Sequence, residues 1–453
     1  MKAAYEQLRN HENIVIWGAG DALGRYFDRL DPSLSITAVC DSDSAKWGVW
    51  GKLPCIPKDD LTAQNAVLIA IDKLTAVEQI SRELDEKGIP YCHIREAVTA
   101  YLPVQEERAL RLCHQEKRDA APDRLTLFFD CAVPLRQCNL RCDYCYVRQH
   151  GDFQKYDMPI LHTPAFIRKA LSKDRLGGVS FFNFCGWGET LLCEGLIPIV
   201  KALIDEGHYV QIVTNGTPER GIREILESGM DLSHLFVKFS LHYLELKRRG
   251  LLEKFAEHVN RVWDAGASIT LEIVPSDGLI PYIPEIMDFS LRHFGALPHC
   301  TVPRDETTQS LRVPTELPAD EFRRIWEQFH SPMFGFKMKN VSLKRYEDCK
   351  AGLWSFQLDL ETGALYQCAH NPYLDNLYED LSRPFRREAV GNRCCLPYCY
   401  NCHAYLVLGV IPEVEAPNYC EMRDRETADG RHWLSGTMRA FFSQKLGDNH
   451  PNG

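Results

Sequence analysis

Short apolar runs alternate with helical stretches through the middle of the chain, and this alternation constrains the fold more than any other feature. The six candidate strands span residues 125–131, 179–184, 209–214, 235–241, 268–274 and 297–302. Strands joined by helices form parallel sheets, because each helix returns the chain to the same edge. The pattern predicts an α/β fold with a partial (β/α)6 TIM barrel over residues 125–335, whose chemistry lies in the loops that follow the strands.

Three further regions flank the predicted barrel. Four shorter apolar runs near the N-terminus, at 14–17, 36–40, 67–71 and 91–94, alternate with helical stretches around 22–30 and 75–87. This pattern is typical of a doubly wound, Rossmann-like domain, which we place at residues 1–105, with a linker helix over 106–124. After the barrel, short strands, turns and cysteines predict a small cysteine-rich domain over 336–425, followed by a helix and a polar tail over 426–453.

The overall composition is that of a globular protein. Of the 453 residues, 45% are hydrophobic and 25% charged, which excludes disorder, and the net charge of −10 disfavours nucleic acid as a partner. The longest apolar stretches, 66–71 and 404–411, are far shorter than the roughly 18 residues of a membrane span. Because the first thirteen residues also lack a signal-like apolar core, we expect a cytoplasmic protein.

Cysteine is the one residue whose use is unusual. Eighteen cysteines in a cytoplasmic chain do not form a disulfide framework, so those that cluster indicate metal binding. Eight are isolated and are interpreted as small buried apolar residues: Cys40, Cys55, Cys92, Cys113, Cys131, Cys185, Cys193 and Cys300. The other ten form two groups, one at 138, 142 and 145 and one at 349, 368, 394, 395, 399, 402 and 420.

The first group follows the first barrel strand and has the spacing C-x3-C-x2-C, at Cys138, Cys142 and Cys145. Three thiolates on one loop hold three irons of a [4Fe-4S] cluster and leave the fourth iron open, whereas structural zinc requires four protein ligands. The loop resembles that of the radical S-adenosylmethionine (radical SAM) superfamily, which has this spacing and an aromatic residue before the third cysteine, here Tyr144. The resemblance implies that the open iron binds S-adenosylmethionine, which one electron cleaves to a 5′-deoxyadenosyl radical.

Further barrel loops match the same family. Gly186-Trp-Gly188-Glu189-Thr resembles the family's Gly-Gly-Glu-Pro turn, with Trp187 in place of the first Gly and Thr190 in place of the Pro. The resemblance implies that Gly188 and Glu189 hold the amino group of S-adenosylmethionine. The third strand ends in Thr214-Asn215-Gly and the fourth contains Ser240, at family positions near the cofactor's carboxylate and ribose. Without this register, a Thr-Asn-Gly sequence is more simply a turn.

The second group of cysteines resembles the SPASM/twitch auxiliary-cluster module that follows some radical SAM barrels. Cys349 and Cys368 flank a predicted hairpin that turns at Glu361-Thr-Gly363, and Cys399-Tyr-Asn-Cys402 follows. The resemblance implies one auxiliary iron-sulfur cluster, expected to be [4Fe-4S], with these four cysteines as ligands. Whether Cys394, Cys395 and Cys420 are surplus or alternate ligands stays open. The spacing alone also permits a four-cysteine zinc site.

The N-terminal domain contains a candidate nucleotide-binding turn. Gly18, Gly20 and Gly24 follow the first strand, and Asp41 ends the second, so the turn could face a phosphate and the carboxylate a ribose. The third glycine comes one position late for G-x-G-x-x-G. The unit resembles small Rossmann-like domains attached to sugar-modifying enzymes, and a structural or docking role is the alternative.

These features together predict a radical SAM enzyme. Its substrate is expected to be a sugar, a cyclitol or a nucleotide-linked polar metabolite, and its electron donor an external protein such as flavodoxin or ferredoxin. His242 and Glu272, near the mouths of the fourth and fifth strands, are candidate catalytic bases, with a scaffold hydrogen bond as the alternative for each. Two other functions remain open: a peptide maturase, and a binding scaffold stabilised by zinc.

Overall fold

The structure is a computed structural model and describes residues 2–112, 123–149, 160–307, 312–368, 372–399 and 402–450. The described residues fall into two compact units, one within residues 1–112 and one from residue 123 onward. Part of the predicted linker, 113–122, lies outside the described residues. No helix of the described part of the chain is long and apolar enough to cross a membrane.

The first unit is a doubly wound α/β sheet. Its six strands are β1 (Ile14–Trp17), β2 (Ile36–Asp41), β3 (Gly48–Trp50), β4 (Leu53–Pro57), β5 (Ala66–Ile69) and β6 (Tyr91–His93). Its α-helices are α1 (Lys2–Arg9), α2 (Asp21–Tyr26), α3 (Leu74–Glu86) and α4 (Ile94–Leu112). The strand order is β3-β4-β2-β1-β5-β6, and every pair is parallel except β3 with β4. The four expected strands are present, and the β3–β4 hairpin at the sheet edge is an addition.

The second unit contains one nine-stranded sheet. Its strands are β7 (Leu125–Val133), β8 (Val179–Gly186), β9 (Tyr209–Thr214), β10 (Leu235–Ser240), β11 (Ser268–Ile273), β12 (His299–Cys300), β13 (Ser355–Asp359), β14 (Ala364–Tyr366) and β15 (Tyr373–Asn376). The first six are parallel neighbours in chain order, which confirms the predicted α/β partial barrel. The sixth strand is shorter than expected, with only two residues.

Helices separate the barrel strands and continue through the C-terminal part. They are α5 (Tyr146–Gln149), α6 (Pro164–Ala170), α7 (Lys173–Leu176), α8 (Leu196–Asp205), α9 (Glu219–Glu227), α10 (Tyr243–Arg248), α11 (Leu252–Asp264), α12 (Ile283–Phe294), α13 (Ala319–Trp326), α14 (Pro332–Asn340), α15 (Cys402–Val407), α16 (Tyr419–Arg423), α17 (Gly436–Phe442) and α18 (Leu446–Asn449). Several begin at a side-chain cap, as at Thr163 before α6 and Asn418 before α16, because these side chains accept from the first free backbone N–H groups.

The cysteine-rich region is joined to the barrel through the sheet itself. Strand β13 pairs in parallel with β7, and β14 and β15 continue the same sheet in antiparallel order. The expected hairpin forms between β13 and β14, where Gly363 has a φ of +75° and a side chain would overlap Tyr378. The sequence did not indicate that this hairpin extends the barrel sheet.

Side chains of a strand alternate between its two faces, so every second residue of a barrel strand points into the barrel. These inward side chains form two layers. The lower layer is apolar and contains Phe128, Phe181, Tyr209 and Phe236. The C-terminal helix α17 closes this layer: Phe441 stacks on Tyr209 and Phe442 meets Phe181 edge-on. Helix α17 lies in the segment predicted to contain a helix and a polar tail, and its apolar side chains seal the bottom of the barrel.

Candidate active site

A cavity of about 380 Å³ opens at the carboxyl ends of the barrel strands. Most of the barrel residues singled out in the sequence line it, namely Cys138, Cys142, Tyr144, Cys145, Gly188, Glu189, Thr214, Asn215, Ser240, His242 and Glu272. Parallel strands end at the same edge of a sheet, so residues far apart in the chain meet there. The volume lies within the range of small-molecule sites.

The three thiols of the cysteine loop share the wall of this cavity. Burial raises the pKa of Cys138 to about 11 and that of Cys142 to about 12, and binding of a metal would displace the protons of these two thiols. Among the described residues, no three side chains of His, Cys, Asp or Glu converge closely enough to hold a single metal ion. Three thiols on one loop, all lining the cavity, are the donor set of a cluster with one open iron.

Two neighbouring loops are joined by one buried carboxylate. Glu189 accepts hydrogen bonds from the Thr214 hydroxyl (2.6 Å), the Asn215 amide N–H (2.6 Å) and the Leu191 amide N–H (2.9 Å). It is 2% exposed, and burial raises its pKa to about 7. Glu189 therefore fixes the turn after β8 against the turn after β9, and it presents this carboxyl group to the cavity.

Gly188 allows the same turn to approach the cysteine loop closely. A Cβ on Gly188 would lie 1.9 Å from the backbone carbonyl oxygen of Gln137, the residue before Cys138. The Glu189 amide N–H donates to that same carbonyl at 2.7 Å. Glycine is required at position 188 because the two backbones pack directly against each other. The sequence pattern alone did not reveal this contact.

The cysteine loop is held from two further sides. The Asn215 amide donates to the Asn139 side chain at 2.8 Å and lies 3.9 Å from the Cys138 sulfur. On α10, the buried Glu245 accepts from the Arg141 backbone N–H at 3.0 Å. Asn215 and Glu245 thereby position the loop, and Glu245 was missed in the sequence because no motif marks it.

The aromatic residue before the third cysteine contacts the candidate base. The Tyr144 hydroxyl hydrogen-bonds to Nδ1 of His242 at 2.8 Å. Burial and the nearby Lys238 charge lower the pKa of His242 to about 4, so the imidazole is neutral near pH 7. His242 is able to accept a proton, as a weak base held beside the cysteine loop.

Glu272, the second candidate base, lies in an ion-pair cluster. Its oxygens contact Lys238 at 3.0 Å and Arg423 at 2.7 Å. Arg423 is 1% exposed and comes from α16, outside the barrel strands. Two cations on one carboxylate favour the scaffold alternative for Glu272. Arg423 is not recognisable from the sequence, because nothing local distinguishes a buried arginine from an exposed one.

A polar layer lies directly above the apolar layer of the barrel. It contains Asp130, Asn183, Gln211 and Gln357, which are paired across neighbouring strands and all line the cavity. The Asn183 amide donates to Asp130 at 2.8 Å, and its buried oxygen has no partner among the described residues. Cys185, which the sequence suggested was an isolated apolar residue, also lines this cavity.

The glycine turn of the first unit makes several contacts within that unit. Gly18 has a φ of +114° and packs against the Ala70 carbonyl, while a Cβ on Gly20 or Gly24 would meet nothing within 4 Å. Asp41 accepts from the Ala19 and Asp43 amides and pairs with Lys46 at 3.1 Å. Nucleotide binding at this turn stays a prediction, and Asp41 already caps the turn internally.

The second cysteine group is only partly described. Cys349 and Cys399 pack against one apolar cluster of Leu406 and Ile411. Cys368 and Cys394 pack against the main core of the unit, as do Cys349 and Cys420. Burial raises the pKa of the Cys420 thiol, and Ser443 and Arg439 of the C-terminal segment oppose that rise. The side chain of Cys402 lies outside the described part of the chain, so the predicted four-cysteine ligand set stays a prediction.

Comparison with known proteins identifies the barrel. Residues 133–282 match the Radical SAM superfamily. GTP 3′,8-cyclase from two strains of Clostridium perfringens is 27% identical over 147 residues, which are 30% of this chain and 43% of the relative. The match thus spans less than half the length of these curated relatives.

Solved structures with some likeness were also found. The superposition with Streptococcus suis SuiB bound to S-adenosylmethionine includes 68% of this chain and 75% of the SuiB chain, with 13% identity and a TM-score of 0.39. The superposition with native anSMEcpe with bound AdoMet includes 56% of this chain and 78% of the anSMEcpe chain, with 15% identity and a TM-score of 0.40. The family match over the barrel confirms the prediction of a radical enzyme.

Proposed function

We propose, from the premise that this chain is a radical SAM superfamily enzyme, that it abstracts a hydrogen atom from an unactivated carbon of a small polar metabolite. The substrate class is a sugar, a cyclitol or a nucleotide-linked compound, and the outcome an oxidation, deoxygenation or epimerisation. The observation that carries this proposal is the polar layer, in which the buried Asn183 oxygen is an acceptor without a partner in the described chain. A substrate hydroxyl supplies the missing donor.

The cofactors of this family are a [4Fe-4S] cluster and S-adenosylmethionine, which when bound supply a 5′-deoxyadenosyl radical. Cys138, Cys142 and Cys145 are the proposed cluster ligands. Glu189 is placed to accept from the amino group of S-adenosylmethionine, since its carboxyl group faces the cavity from a buried position. Asn215 positions the cysteine loop through its hydrogen bond to Asn139. Ser240 lines the same cavity as Glu189 and is proposed to contact the cofactor.

The proton that leaves an oxidised substrate needs an acceptor. His242 is the better candidate, because it is neutral near pH 7 and lines the cavity. Glu272 is fully engaged by Lys238 and Arg423, and its main role is to hold these two side chains in place.

An auxiliary cluster in residues 336–425 would take the electron released in an oxidation. Cys349, Cys368, Cys399 and Cys402 are its proposed ligands, and a zinc site is the alternative. Replacement of Cys399 and Cys402 by Ala should remove about four irons per chain and stop product formation, while 5′-deoxyadenosine release persists. Wild-type iron content in this variant would exclude the two cysteines as ligands. Product formation at the normal rate without that iron would favour a redox-neutral reaction.

The substrate class is tested with the reconstituted protein under anaerobic conditions. The chain is incubated with S-adenosylmethionine, a reductant and a panel of nucleotide sugars, cyclitols and peptides, and 5′-deoxyadenosine is measured. Stimulation by a sugar, cyclitol or nucleotide-linked compound is expected. Stimulation by peptides alone would replace this proposal with a peptide maturase. Flavodoxin or ferredoxin is the proposed physiological reductant, and a cytoplasmic location is proposed with it.

A further inference from the structure

Two amide side chains of the polar layer are each oriented by a neighbouring side chain. The Asn183 amide nitrogen donates to Asp130 at 2.8 Å, which leaves the Asn183 oxygen buried without a partner among the described residues. The Gln211 oxygen accepts from the Tyr419 hydroxyl at 2.8 Å, which leaves the Gln211 nitrogen as the end available for a further contact. Asn183 therefore offers an acceptor and Gln211 offers a donor.

This donor and this acceptor lie on neighbouring strands. Asn183 on β8 and Gln211 on β9 are register partners, and both line the cavity. Neighbouring strands are about 4.8 Å apart, and paired residues point to the same face of the sheet. Because the Asn183 oxygen makes no hydrogen bond within the described chain, the Gln211 nitrogen does not satisfy it. Both groups are thus available to one ligand atom between them.

Tyr419 holds Gln211 from the apolar layer below. The Tyr419 ring meets Phe181 and Phe442 edge-on, at 5.6 and 4.7 Å between ring centres. Its hydroxyl extends from this packed ring to Gln211. Arg423 lies 5.2 Å from the centre of the same ring, and a guanidinium group has donors only, so it does not compete for the Tyr419 hydrogen. The orientation of the Gln211 amide is therefore set from α16, outside the barrel strands.

A donor beside an acceptor selects a group that pairs with both, and Gln211 is 2% exposed, so an unpaired amide here is costly. We propose that Gln211 and Asn183 together bind one alcohol hydroxyl of the substrate, and that Tyr419 positions Gln211 for this contact. The hydroxyl oxygen accepts from Gln211 and its hydrogen goes to Asn183. A carbonyl or ether oxygen has no hydrogen to donate. This inference rests on the proposed function, because it names the contacts that select a hydroxylated substrate in the same cavity.

The test uses the S-adenosylmethionine-loaded holoenzyme in anaerobic calorimetric titrations with three probes, D-glucose, myo-inositol and UDP-glucose. At least one probe should bind wild type. Gln211→Glu keeps the side-chain shape and the Tyr419 contact but replaces the donor with an acceptor, and it should weaken that probe about ten-fold. Gln211→Met removes both ends of the amide and should weaken it about five-fold. Gln328→Met changes an exposed glutamine and is the matched control, with unchanged affinity.

The positioning role of Tyr419 is tested by a double-mutant cycle. Tyr419→Phe keeps the ring packing and should weaken the bound probe about three-fold in the wild-type background. It should have no further effect in the Gln211→Met background, because Tyr419 acts through Gln211. The same loss in both backgrounds would overturn the positioning role.

Two other results would overturn the inference. One is wild-type affinity for the probe in both Gln211 variants. The other is S-adenosylmethionine binding that weakens as much as probe binding in Gln211→Glu, because Gln211 would then serve the cofactor. Wild type that binds none of the three probes and releases no 5′-deoxyadenosine with any of them refutes the proposed function instead, so the two failures are separate.

Discussion

His208 should make the barrel unit sensitive to acid in a measurable way. It is fully buried just before β9, where Nδ1 accepts from the Ser180 amide at 3.0 Å and Nε2 donates to the Leu171 carbonyl at 2.8 Å. These two contacts require the neutral ring. Burial lowers its pKa to about 3 from an ordinary value of 6.5. The unfolded chain therefore binds a proton in the range from pH 6.5 down to pH 3 that the folded chain does not bind.

The sign and size of the effect follow from this difference. Stability from His208 is complete above pH 6.5 and falls as the pH drops, by about 1.4 kcal/mol per pH unit. His208→Gln removes the titration but leaves the Ser180 N–H unpaired, which costs about 1 to 3 kcal/mol at any pH. The advantage in free energy of unfolding that wild type has over the variant should thus fall by about 2.3 kcal/mol between pH 6.5 and pH 4.5, to near zero or to the opposite sign.

Urea denaturation of the apo-protein at several pH values measures this difference directly. Other buried histidines are common to both proteins and cancel. Leu203→Ala, which removes apolar packing beside His208 without changing any titrating group, is the control, and its cost should not depend on pH. A His208→Gln difference that stays constant from pH 7.5 to pH 4.5 would refute the assignment of a neutral, hydrogen-bonded ring.

Three other changes test the parts of the site separately. Gly188→Ala should displace the turn after β8 and weaken S-adenosylmethionine binding, as measured by equilibrium dialysis, whereas Gly24→Ala meets open space and should have no such effect. Glu245→Gln should lower the iron retained by the cysteine loop after gel filtration, because its two oxygens serve the loop amide and two arginines; Glu285→Gln, an exposed residue on α12, is its control. Asp41→Ala should lower the melting temperature of the first unit, and calorimetry with NAD⁺ and a UDP-sugar on the wild-type chain decides whether the turn also binds a nucleotide.

Most of the barrel and the outline of its site were predictable from sequence. Apolar runs with the right spacing gave β7 to β11 within two residues at each end, because buried parallel strands are continuously apolar. The cysteine loop and the residues after each strand converge on one cavity because all parallel strands end at the same edge. These are local signals that topology brings together.

The missed features depend on contacts between distant segments. Arg423 and Tyr419 enter the barrel from α16, and Tyr419 donates to Gln211 at 2.8 Å. Phe441 lies in the C-terminal segment predicted to contain a helix, but the sequence did not indicate that this helix seals the barrel. Pattern analysis detects a periodic face, and one or two buried side chains on a short helix do not produce one.

The most direct test of the account is S-adenosylmethionine cleavage by a variant in which Cys138, Cys142 and Cys145 are all replaced by Ala. The account predicts that the reconstituted variant, with reductant and S-adenosylmethionine, releases no 5′-deoxyadenosine above the level of a protein-free control, while it keeps any iron bound by the second cysteine group. The wild-type protein prepared in parallel should release 5′-deoxyadenosine and carry about four more irons per chain. Cleavage at the wild-type rate by the triple variant would contradict the assignment of these three thiols as ligands of the radical-generating cluster.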